Sequence, residues 1–496
     1  MSHLAITCII VVLYLIALFS VSAWAQKKQK KAEAAGRSGN FLLASKSLPT
    51  ALVAFMMAGA GIGSINTTGI AQQVQTAGLS GMCAGFAGAV ALIVLAVFGA
   101  KRMRALPYNT MPSMAMAYCG WTTRYLLSLG GFVIALAITA LQFVGGGAML
   151  ASMFPGIIDH KLGMIITAAV FFGIAALGGF LGASLANIVN MFVMYIGLFL
   201  VMVAALMAKE IGGFGGLVDA VNAIPEPTTS GAPWLSVTGG LGLATFISYF
   251  ATEIPNRFTT QSNTQQIFAA KNGKAGRNGL IIGALMLVPV TLMSCVIGLI
   301  ARVRFPELAA AGATVQAMPK VVLSVNPFIS GIGLAALWAV NVSTGIALLM
   351  TCTQLFCGDI LAPINNKRSM DERAQAVQGR IALVFISAAA LVMAFFLRSI
   401  VSTIMTMCAI TPAFAFIFVP ILYKPSLLKK STGPALLIVS YAFFVLWLLI
   451  PQLKALFPDP VYPEWALAAI TFIVCLIADK RRVQVPEGDA EAIAAR

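Results

Sequence analysis

Long apolar stretches recur along the whole chain, and they constrain its fold more than any other feature. Each runs roughly 18 to 28 residues, and short polar segments separate them. A helix of that length crosses the hydrocarbon core of a bilayer, which is about 30 Å thick. Because lipid offers no partner for backbone N–H and C=O groups, each stretch must pair them internally as a helix. The sequence therefore predicts an all-α polytopic membrane protein.

The composition excludes a water-soluble fold. Apolar residues make up 59% of the 496 residues, charged residues only 10%, and the mean hydropathy is +0.93. A soluble domain carries about 25% charged residues. The net charge of +16 is distributed over short basic clusters between apolar stretches, such as 27–31 and 101–104. That distribution is typical of cytoplasmic loops, so we expect the lipid bilayer, and no nucleic acid, as a partner.

About thirteen transmembrane helices account for the apolar stretches. With the N-terminus outside, this assignment places 25 of the 32 Lys and Arg residues on the cytoplasmic side, in agreement with the positive-inside rule. We therefore predict a multi-pass protein of the cell membrane with a cytoplasmic C-terminus. The first span is interpreted as uncleaved, because its positive charge follows the apolar stretch instead of preceding it. The predicted spans are 3–25, 47–71, 80–100, 125–152, 162–180, 186–208, 236–255, 278–301, 327–356, 381–397, 399–423, 433–450 and 463–478.

Two spans are interrupted at corresponding positions. The second contains the Gly-rich run Ala58–Gly69, and the seventh ends in Glu253, Pro255 and Asn256. Such pairs indicate an inverted-repeat transporter, although Gly in the second span also suits close helix packing. The predicted organisation is an N-terminal helix and basic loop (1–46), a first five-helix repeat (47–208), an extracellular loop (209–235), a second, inverted five-helix repeat (236–423), two further helices (424–478) and a cytoplasmic tail (479–496).

Three stretches carry a resemblance to a known family. They are FLLASKSLPTALVAFMMAGAGIG (41–63), TTQSNTQQIFAAKNGKAGRNG (259–279) and GIGLAALWAVNVSTGIALLMTCTQLFCGDIL (331–361). In this order they resemble the sodium/solute symporters, which carry proline, sugars, pantothenate and other small solutes. The resemblance implies the leucine-transporter type of fold, with inverted five-helix repeats and extra terminal helices. The sequence departs from the family pattern at Ile62, Thr260 and Gln266, so no single member's solute can be transferred to it.

The resemblance also implies a sodium site. Sodium prefers oxygen ligands, which side-chain hydroxyls and the carbonyls of an interrupted helix supply at membrane depth. The alternative for the two hydroxyl residues in this set is a hydrogen bond back to the preceding turn of their own helix. One sodium ion is expected as the coupling ion. The residues that match sodium-binding positions of the family are Ala60, Gly63, Val340, Ser343 and Thr344.

The solute is expected near the membrane midplane, between the interrupted helices and their neighbours. Amides and hydroxyls predominate there, which suits a small polar molecule, and we favour an amino acid or a small carboxylate. Arg257 is interpreted as a residue of a cytoplasmic loop. The predicted solute contacts are Asn66, Thr67, Gln142, Tyr249, Glu253 and Asn256.

Sodium-coupled symport by alternating access is the predicted function. A channel would need a continuous polar pore, an enzyme would need clustered nucleophiles, bases or metal ligands, and a transporter-like sensor would need a long soluble C-terminal module. None of these features is evident, so neither enzymatic activity nor an obligate protein partner is expected. A proton-coupled carrier needs an ionisable relay inside the membrane, and Glu253 keeps that alternative open.

Overall fold

The chain folds as an assembly of helices. A computed structural model describes residues 3–34, 46–361, 372–397 and 400–486, and within these ranges regular strands are absent. The predicted all-α fold is therefore confirmed. Residues 41–45 of the first family stretch and 487–496 of the predicted tail lie outside the described residues. The α-helices are α1 (His3–Ala34), α2 (Thr50–Ser64), α3 (Ile70–Ala77), α4 (Cys83–Val94), α5 (Ala100–Ala105), α6 (Met111–Cys119), α7 (Trp121–Met153), α8 (His160–Leu206), α9 (Gly213–Asn222), α10 (Leu243–Thr259), α11 (Gln261–Ala269), α12 (Gly273–Arg304), α13 (Glu307–Ala310), α14 (Ala317–Leu323), α15 (Pro327–Gln354), α16 (Glu372–Ala394), α17 (Ile400–Cys408), α18 (Thr411–Tyr423), α19 (Thr432–Leu449), α20 (Pro451–Leu456) and α21 (Val461–Ala478).

Nine helical stretches in the described part of the chain are long and apolar enough to cross a membrane. Two of them, Thr50–Ala105 and His160–Leu206, each contain two predicted spans. The seventh and eleventh predicted spans overlap shorter helices, α10 and the pair α17 and α18. Every predicted span thus falls on helical structure, whereas the total of thirteen crossings stays a prediction.

The surface of this assembly is strongly apolar. Large side chains such as Phe385 and Ile477 are 70% and 78% exposed. A soluble protein rarely exposes contiguous apolar patches larger than a few hundred Å², whereas lipid chains are as apolar as these side chains themselves. The chain is therefore a multi-pass membrane protein.

Polar side chains fix the beginnings of several helices, because the first N–H groups of a helix have no partner within it. The Thr110 hydroxyl accepts the Ser113 N–H at 3.1 Å at the start of α6. The Asp159 carboxylate accepts the Leu162 N–H at 2.8 Å at the start of α8. These caps stand at boundaries between apolar stretches, where the chain turns back towards the membrane.

Two of the long helices are broken at glycines. In α2, Gly63 has φ 6° and ψ −173°, outside the helical range, and the π-helical turn Ile65–Gly69 follows. In α8, Gly179 has φ 55°, a left-handed value that glycine adopts without the clash of a Cβ atom. The break in α2 confirms the predicted interruption of the second span, and the bend in α8 separates the fifth predicted span from the sixth.

The seventh predicted span differs from the helix that the structure contains. Helix α10 begins at Leu243 and continues through Pro255 to Thr259, and the chain becomes extended at Thr260 before α11 begins. Arg257 is therefore helical, and it is only 8% exposed because it pairs with Glu253 one turn earlier. The interpretation of Arg257 as a loop residue is wrong, because the helix extends one turn beyond Pro255, the predicted end of the span.

Helices of the two predicted repeats pack reciprocally. Helix α2 packs against α12, and its counterpart α10 packs against α4. Helix α15, which is almost wholly buried, contacts α2, α7 and α8. An inverted repeat produces such exchanged contacts. The packing sets the break of α2 directly against the buried middle of α15.

Candidate functional site

The break in α2 changes the hydrogen bonding of its last turn. An unbroken α-helix would direct the Ser64 N–H to the Ala60 carbonyl four residues back. The Ser64 N–H instead lies 3.1 Å from Gln142 Oε1 of α7, since the non-helical ψ of Gly63 turns that peptide unit away. The Ala60 carbonyl thereby loses the partner that regular helix geometry would give it.

The hydroxyls of Ser343 and Thr344 converge on one carbonyl of α2. Thr344 Oγ1 donates to the Gly59 oxygen at 2.7 Å, and Ser343 Oγ lies 3.3 Å from the same atom. Ser343 Oγ also lies 2.9 Å from the Val340 oxygen, so the bond to the preceding turn is present beside the contact with α2. Both hydroxyl residues are buried. Two hydroxyls and two carbonyls therefore gather between α2 and α15.

Gly63 lets α2 approach α15 closely at this point. A Cβ atom on Gly63 would lie 3.0 Å from Thr344 Oγ1, tighter than most side-chain contacts. Ala60, Gly63 and Thr344 line a cavity of about 50 Å³. The predicted ion ligands are thus brought together, with the Gly59 carbonyl as an additional oxygen that the sequence analysis missed. Backbone carbonyls have no signature in residue type, and only the two hydroxyl contacts point to this one.

The chemistry of this oxygen set fits an alkali cation. Carbonyl and hydroxyl oxygens are hard, neutral donors, and unwound helix carbonyls are the groups with which transporters coordinate sodium at the midplane. Part of the surrounding wall is apolar, with Ile65, Ile138 and Leu348 lining the same cavity. Low polarity around the oxygens strengthens their attraction for a cation.

A buried ion pair forms another wall of this cavity. Arg257 Nε lies 2.9 Å from Glu253 Oε2, and Arg257 Nη1 donates to Asn263 Oδ1 at 3.1 Å. Both charged residues are less than 10% exposed, and both line the cavity. Buried charges are tolerated when they are paired and hydrogen-bonded. The pair offers a solute one positive and one negative group without adding net charge to the site.

Three of the six predicted solute contacts line the same cavity, namely Gln142, Glu253 and Asn256. Gln142 therefore performs two tasks, since its amide oxygen also accepts the Ser64 N–H at the break of α2. These residues come from α7 and α10, and the ion candidates come from α2 and α15. The cavity thus lies where four helices meet beside the break.

Asn66 and Thr67 are directed into the packing around α2 instead. Asn66 Nδ2 donates to the Gly61 carbonyl at 2.5 Å, and Thr67 Oγ1 donates to the Gly63 carbonyl at 3.3 Å. Their side chains pair with carbonyls of the preceding turn next to the break. In this geometry they support the broken helix and do not line the cavity.

Tyr249 lies in a second, larger cavity of about 330 Å³. Its hydroxyl accepts a hydrogen bond from Gln73 Nε2, which connects α10 with α3. This cavity lies on the side of the molecule that the predicted topology places outside. We refer to it as the outer cavity and to the smaller one beside the break as the inner cavity.

A buried network of polar side chains lies at the C-terminal end of α15. Arg124 Nη2 and Asp359 Oδ1 are 2.8 Å apart, and Thr110 Oγ1 donates to the same carboxylate oxygen at 3.0 Å. Arg124 Nη2 also donates to the Gly358 carbonyl at 2.9 Å. The network ties the start of α7 and the cap of α6 to the turn that follows α15.

Known proteins match the chain over most of its length. The family model "Sodium:solute symporter family" matches residues 41–428. The high-affinity choline transporter 1 of Drosophila melanogaster is 24% identical over 79% of this chain and 62% of its own length. The sodium/pantothenate symporter of Haemophilus influenzae is 22% identical over 53% and 54%, and the sodium/glucose cotransporter 1 of Ovis aries is 24% identical over 75% and 60%. The chain spans less than two thirds of each of these relatives.

Solved structures share the architecture. A Na+-coupled sialic acid symporter in its outward-open state superposes with a TM-score of 0.78 over 97% of this chain and 99% of its own, at 14% identity. MhsT, solved with L-phenylalanine, has a TM-score of 0.52 over 85% and 97%, at 12% identity. At identities this low, a superposition establishes the fold alone. These superpositions confirm the predicted leucine-transporter type of fold. Because the family model covers well over half of the sequence, the chain belongs to the sodium:solute symporter family.

Proposed function

We propose that this chain is a secondary active transporter that couples the uptake of a small organic solute to an inward flow of sodium. The observation that carries the proposal is the convergence of the Ser343 and Thr344 hydroxyls on the Gly59 carbonyl at the break of α2. This cluster adjoins the inner cavity, whose lining includes the ion pair of Glu253 and Arg257. Ion and solute would therefore bind side by side, as coupled transport requires.

Sodium would be held by neutral oxygens. The hydroxyls of Ser343 and Thr344 supply two of them, and backbone carbonyls supply the others. A cation at this place contacts α2 and α15 together, so its binding free energy favours the conformation in which these helices touch. That differential affinity is what allows an ion to shift a conformational equilibrium. The proposed carbonyl donors are those of Gly59, Ala60, Gly63 and Val340.

The solute would bind in the inner cavity against Gln142, Glu253 and Asn256. In this conformation the cavity measures about 50 Å³, whereas ligand pockets measure about 300–1,000 Å³. Solute binding therefore requires the helices around the cavity to move apart, and alternating access supplies a motion of that kind. An amino acid or a small carboxylate remains the predicted solute class, since Arg257 and Glu253 could each exchange their mutual contact for one with the solute.

Proton coupling through Glu253 is the second candidate. Its basis is the burial of this carboxylate beside the inner cavity. The buried ion pair argues against it, because protonation of Glu253 would leave the Arg257 charge without its counter-ion. Sodium coupling requires no such protonation.

The proposed setting is the cell membrane, with the N-terminus outside and the C-terminus in the cytoplasm. The distribution of basic residues supports this orientation. The outer cavity then opens towards the cell exterior, and the Arg124–Asp359 network lies at the cytoplasmic end. The partners required are a solute, sodium and lipid.

The test is uptake by proteoliposomes of the full chain, with labelled amino acids, amines, carboxylates and sugars. An inward sodium gradient and an inward proton gradient are imposed in separate experiments. We expect uptake to follow the sodium gradient only. The double variant Ser343→Ala/Thr344→Ala should raise the sodium concentration for half-maximal uptake by about tenfold or more, because it deletes two oxygens that a charged partner would use.

The matched control is Thr353→Ala in the same helix. The Thr353 hydroxyl is also fully buried, but it donates to the Leu349 carbonyl of its own helix at 2.8 Å and not to α2. Its removal should leave the sodium dependence within about twofold of the parent. Uptake that follows the proton gradient and ignores sodium would overturn the ion site and support the role of Glu253.

A further inference from the structure

The outer cavity has one charged residue among the described residues that line it, and that residue is Asp459. Asp459 lies in the turn between α20 and α21, outside the predicted repeats. Lys, Arg and His are absent from the described lining, although the chain as a whole carries a net charge of +16. The cavity is therefore locally negative in a protein that is strongly positive overall.

The Asp459 carboxylate makes no ion pair with any residue in the described part of the chain. Burial raises the pKa of Asp459, and a hydrogen bond from Ser248 opposes that rise. Partial burial without a cationic partner leaves the negative charge poorly compensated. A cation that entered the cavity would compensate it.

Further acceptors in the same lining have no donor. The side-chain oxygens of Gln72 and Gln73 are buried, and neither accepts a hydrogen bond from the described residues. Both residues line the outer cavity with Asp459. A protonated primary amine carries three N–H donors on one compact charge. Its hydrogen-bonding capacity thus matches one carboxylate that has no ion pair and two amide oxygens that have no donor.

The remaining lining favours a hydrogen-bonding cation over a quaternary ammonium ion. Quaternary ammonium groups have no N–H and are recognised by cages of several aromatic faces. Tyr249 is the one aromatic side chain in the described lining. The other polar members are mainly hydroxyl residues, namely Thr76, Thr245, Ser248, Thr252, Thr314 and Thr406.

Two pairs of sequence neighbours form a layer between the outer and inner cavities. Thr252 lines the outer cavity and its neighbour Glu253 lines the inner one. In the same way, Met405 lines the outer cavity and Ile404 lines the inner one. The Gln73 to Tyr249 hydrogen bond joins α3 to α10 beside this layer. A solute that passes from the predicted exterior to the inner cavity would therefore pass through the outer cavity first.

We infer that the outer cavity binds a protonated amine of the transported solute, with Asp459 as its counter-ion. The inference rests on the proposed transport function and narrows its solute class: amines and amino acids are captured here, and plain carboxylates are repelled. Capture by a counter-ion that lies before the inner cavity raises the local concentration of cationic solutes.

The test measures binding to the purified full chain in a sodium-free potassium buffer, by the shift of the thermal unfolding midpoint. The probes are three molecules of similar size: ethanolamine, ethylene glycol and glycolate. We expect ethanolamine alone to raise the midpoint with a saturable dose response. Asp459→Asn should weaken the apparent ethanolamine affinity by about tenfold or more, since it removes a charge-assisted hydrogen bond.

The matched control is Asp219→Asn, which removes the same charge from an exposed position of α9 outside the cavity. It should leave the ethanolamine response unchanged. Thr76→Lys provides a second variant at an exposed position of the cavity lining. It should abolish the response by placing a competing ammonium group in the cavity, even if Asp459→Asn folds poorly.

Equal responses to ethanolamine and glycolate would overturn the inference, as would an ethanolamine response that survives both Asp459→Asn and Thr76→Lys. An equal midpoint shift from added lithium or caesium chloride would also overturn it, by identifying a site for inorganic cations. Because this buffer contains no sodium, the result is independent of sodium-driven uptake. Loss of uptake with intact amine binding would instead refute the proposed transport function.

Discussion

The indole Nε1 of Trp465 lies 2.9 Å from the carbonyl oxygen of Ala251. That carbonyl lies four residues before Pro255, which has no N–H with which to bind it. Trp465 belongs to α21, so a helix outside the predicted repeats completes the hydrogen bonding of α10. This contact helps to explain why α10 continues past its proline and carries Glu253 and Arg257 into the wall of the inner cavity.

Trp465→Phe is expected to lower the unfolding free energy by about 1–3 kcal/mol, because it leaves the Ala251 carbonyl without a donor. The measurement is the unfolding midpoint of the purified protein in detergent. In a Pro255→Ala background, residue 255 regains an N–H, and the effect of Trp465→Phe should shrink. An equal loss in both backgrounds would show that the indole acts through packing alone.

Gly63→Ala is expected to weaken sodium activation of uptake by about tenfold, because the new Cβ atom would lie 3.0 Å from Thr344 Oγ1 and displace that hydroxyl. The comparison is Gly131→Ala in α7, whose Cβ atom would meet only Leu355 at 3.4 Å. The second variant should retain near-normal sodium dependence. Similar sodium dependence for both variants would argue against an ion between α2 and α15.

Glu253→Gln is expected to lower stability by about 3–5 kcal/mol, since it leaves the buried Arg257 charge without its counter-ion. Glu226→Gln is the control, because its contact with Arg302 is longer, at 3.5 Å, and Glu226 is largely exposed. That change should alter stability by about 0–1 kcal/mol. Thermal unfolding of the two variants side by side provides the measurement.

The double variant Glu253→Gln/Arg257→Gln should regain much of the stability that the single variant loses, because it removes both charges together. A double variant as unstable as the single one would show that Arg257 is stabilised mainly by other contacts, such as that with Asn263.

Asp359→Asn is expected to weaken the buried network at the C-terminal end of α15 and to make that region more accessible to water. The change removes the counter-ion of Arg124, whose side chain is only 12% exposed, and it weakens the bond from Thr110. We expect faster reaction of a cysteine introduced at Gln261 with a water-soluble maleimide, since Gln261 is buried beside this network and accepts the Met111 N–H. An unchanged labelling rate would show that the ion pair does not control access.

Most of the fold could be predicted because the bilayer restricts the choices so strongly. Apolar stretches in lipid must be helical, and every predicted span overlaps helical structure. The interruption of the second span was also visible, since the run around Gly63 combines Gly with small polar residues. Its hydroxyl partners, Ser343 and Thr344, were identified through the family resemblance.

Contacts between distant segments could not be predicted in the same way. Arg257 looked like a loop residue because charge alone favours the membrane surface, and its burial depends on a helix end set by Trp465. The predicted span 463–478 has Glu464 at its end, yet Glu464 is fully buried and accepts a hydrogen bond from Ser440 at 2.6 Å. The burial of such residues depends on contacts with other helices. Contacts of that kind leave no pattern in the sequence around the residue.

The ion pair beside the inner cavity has an electrical consequence. Glu253 and Arg257 lie one turn apart on the same helix, so a movement of α10 carries both charges together. The net charge displaced by the pair is then zero. Moving one elementary charge through a membrane potential of 100 mV involves about 2.3 kcal/mol, and this pair contributes none of it. Voltage dependence of transport would then come from charges outside this wall of the cavity, among them those of the ion and the solute.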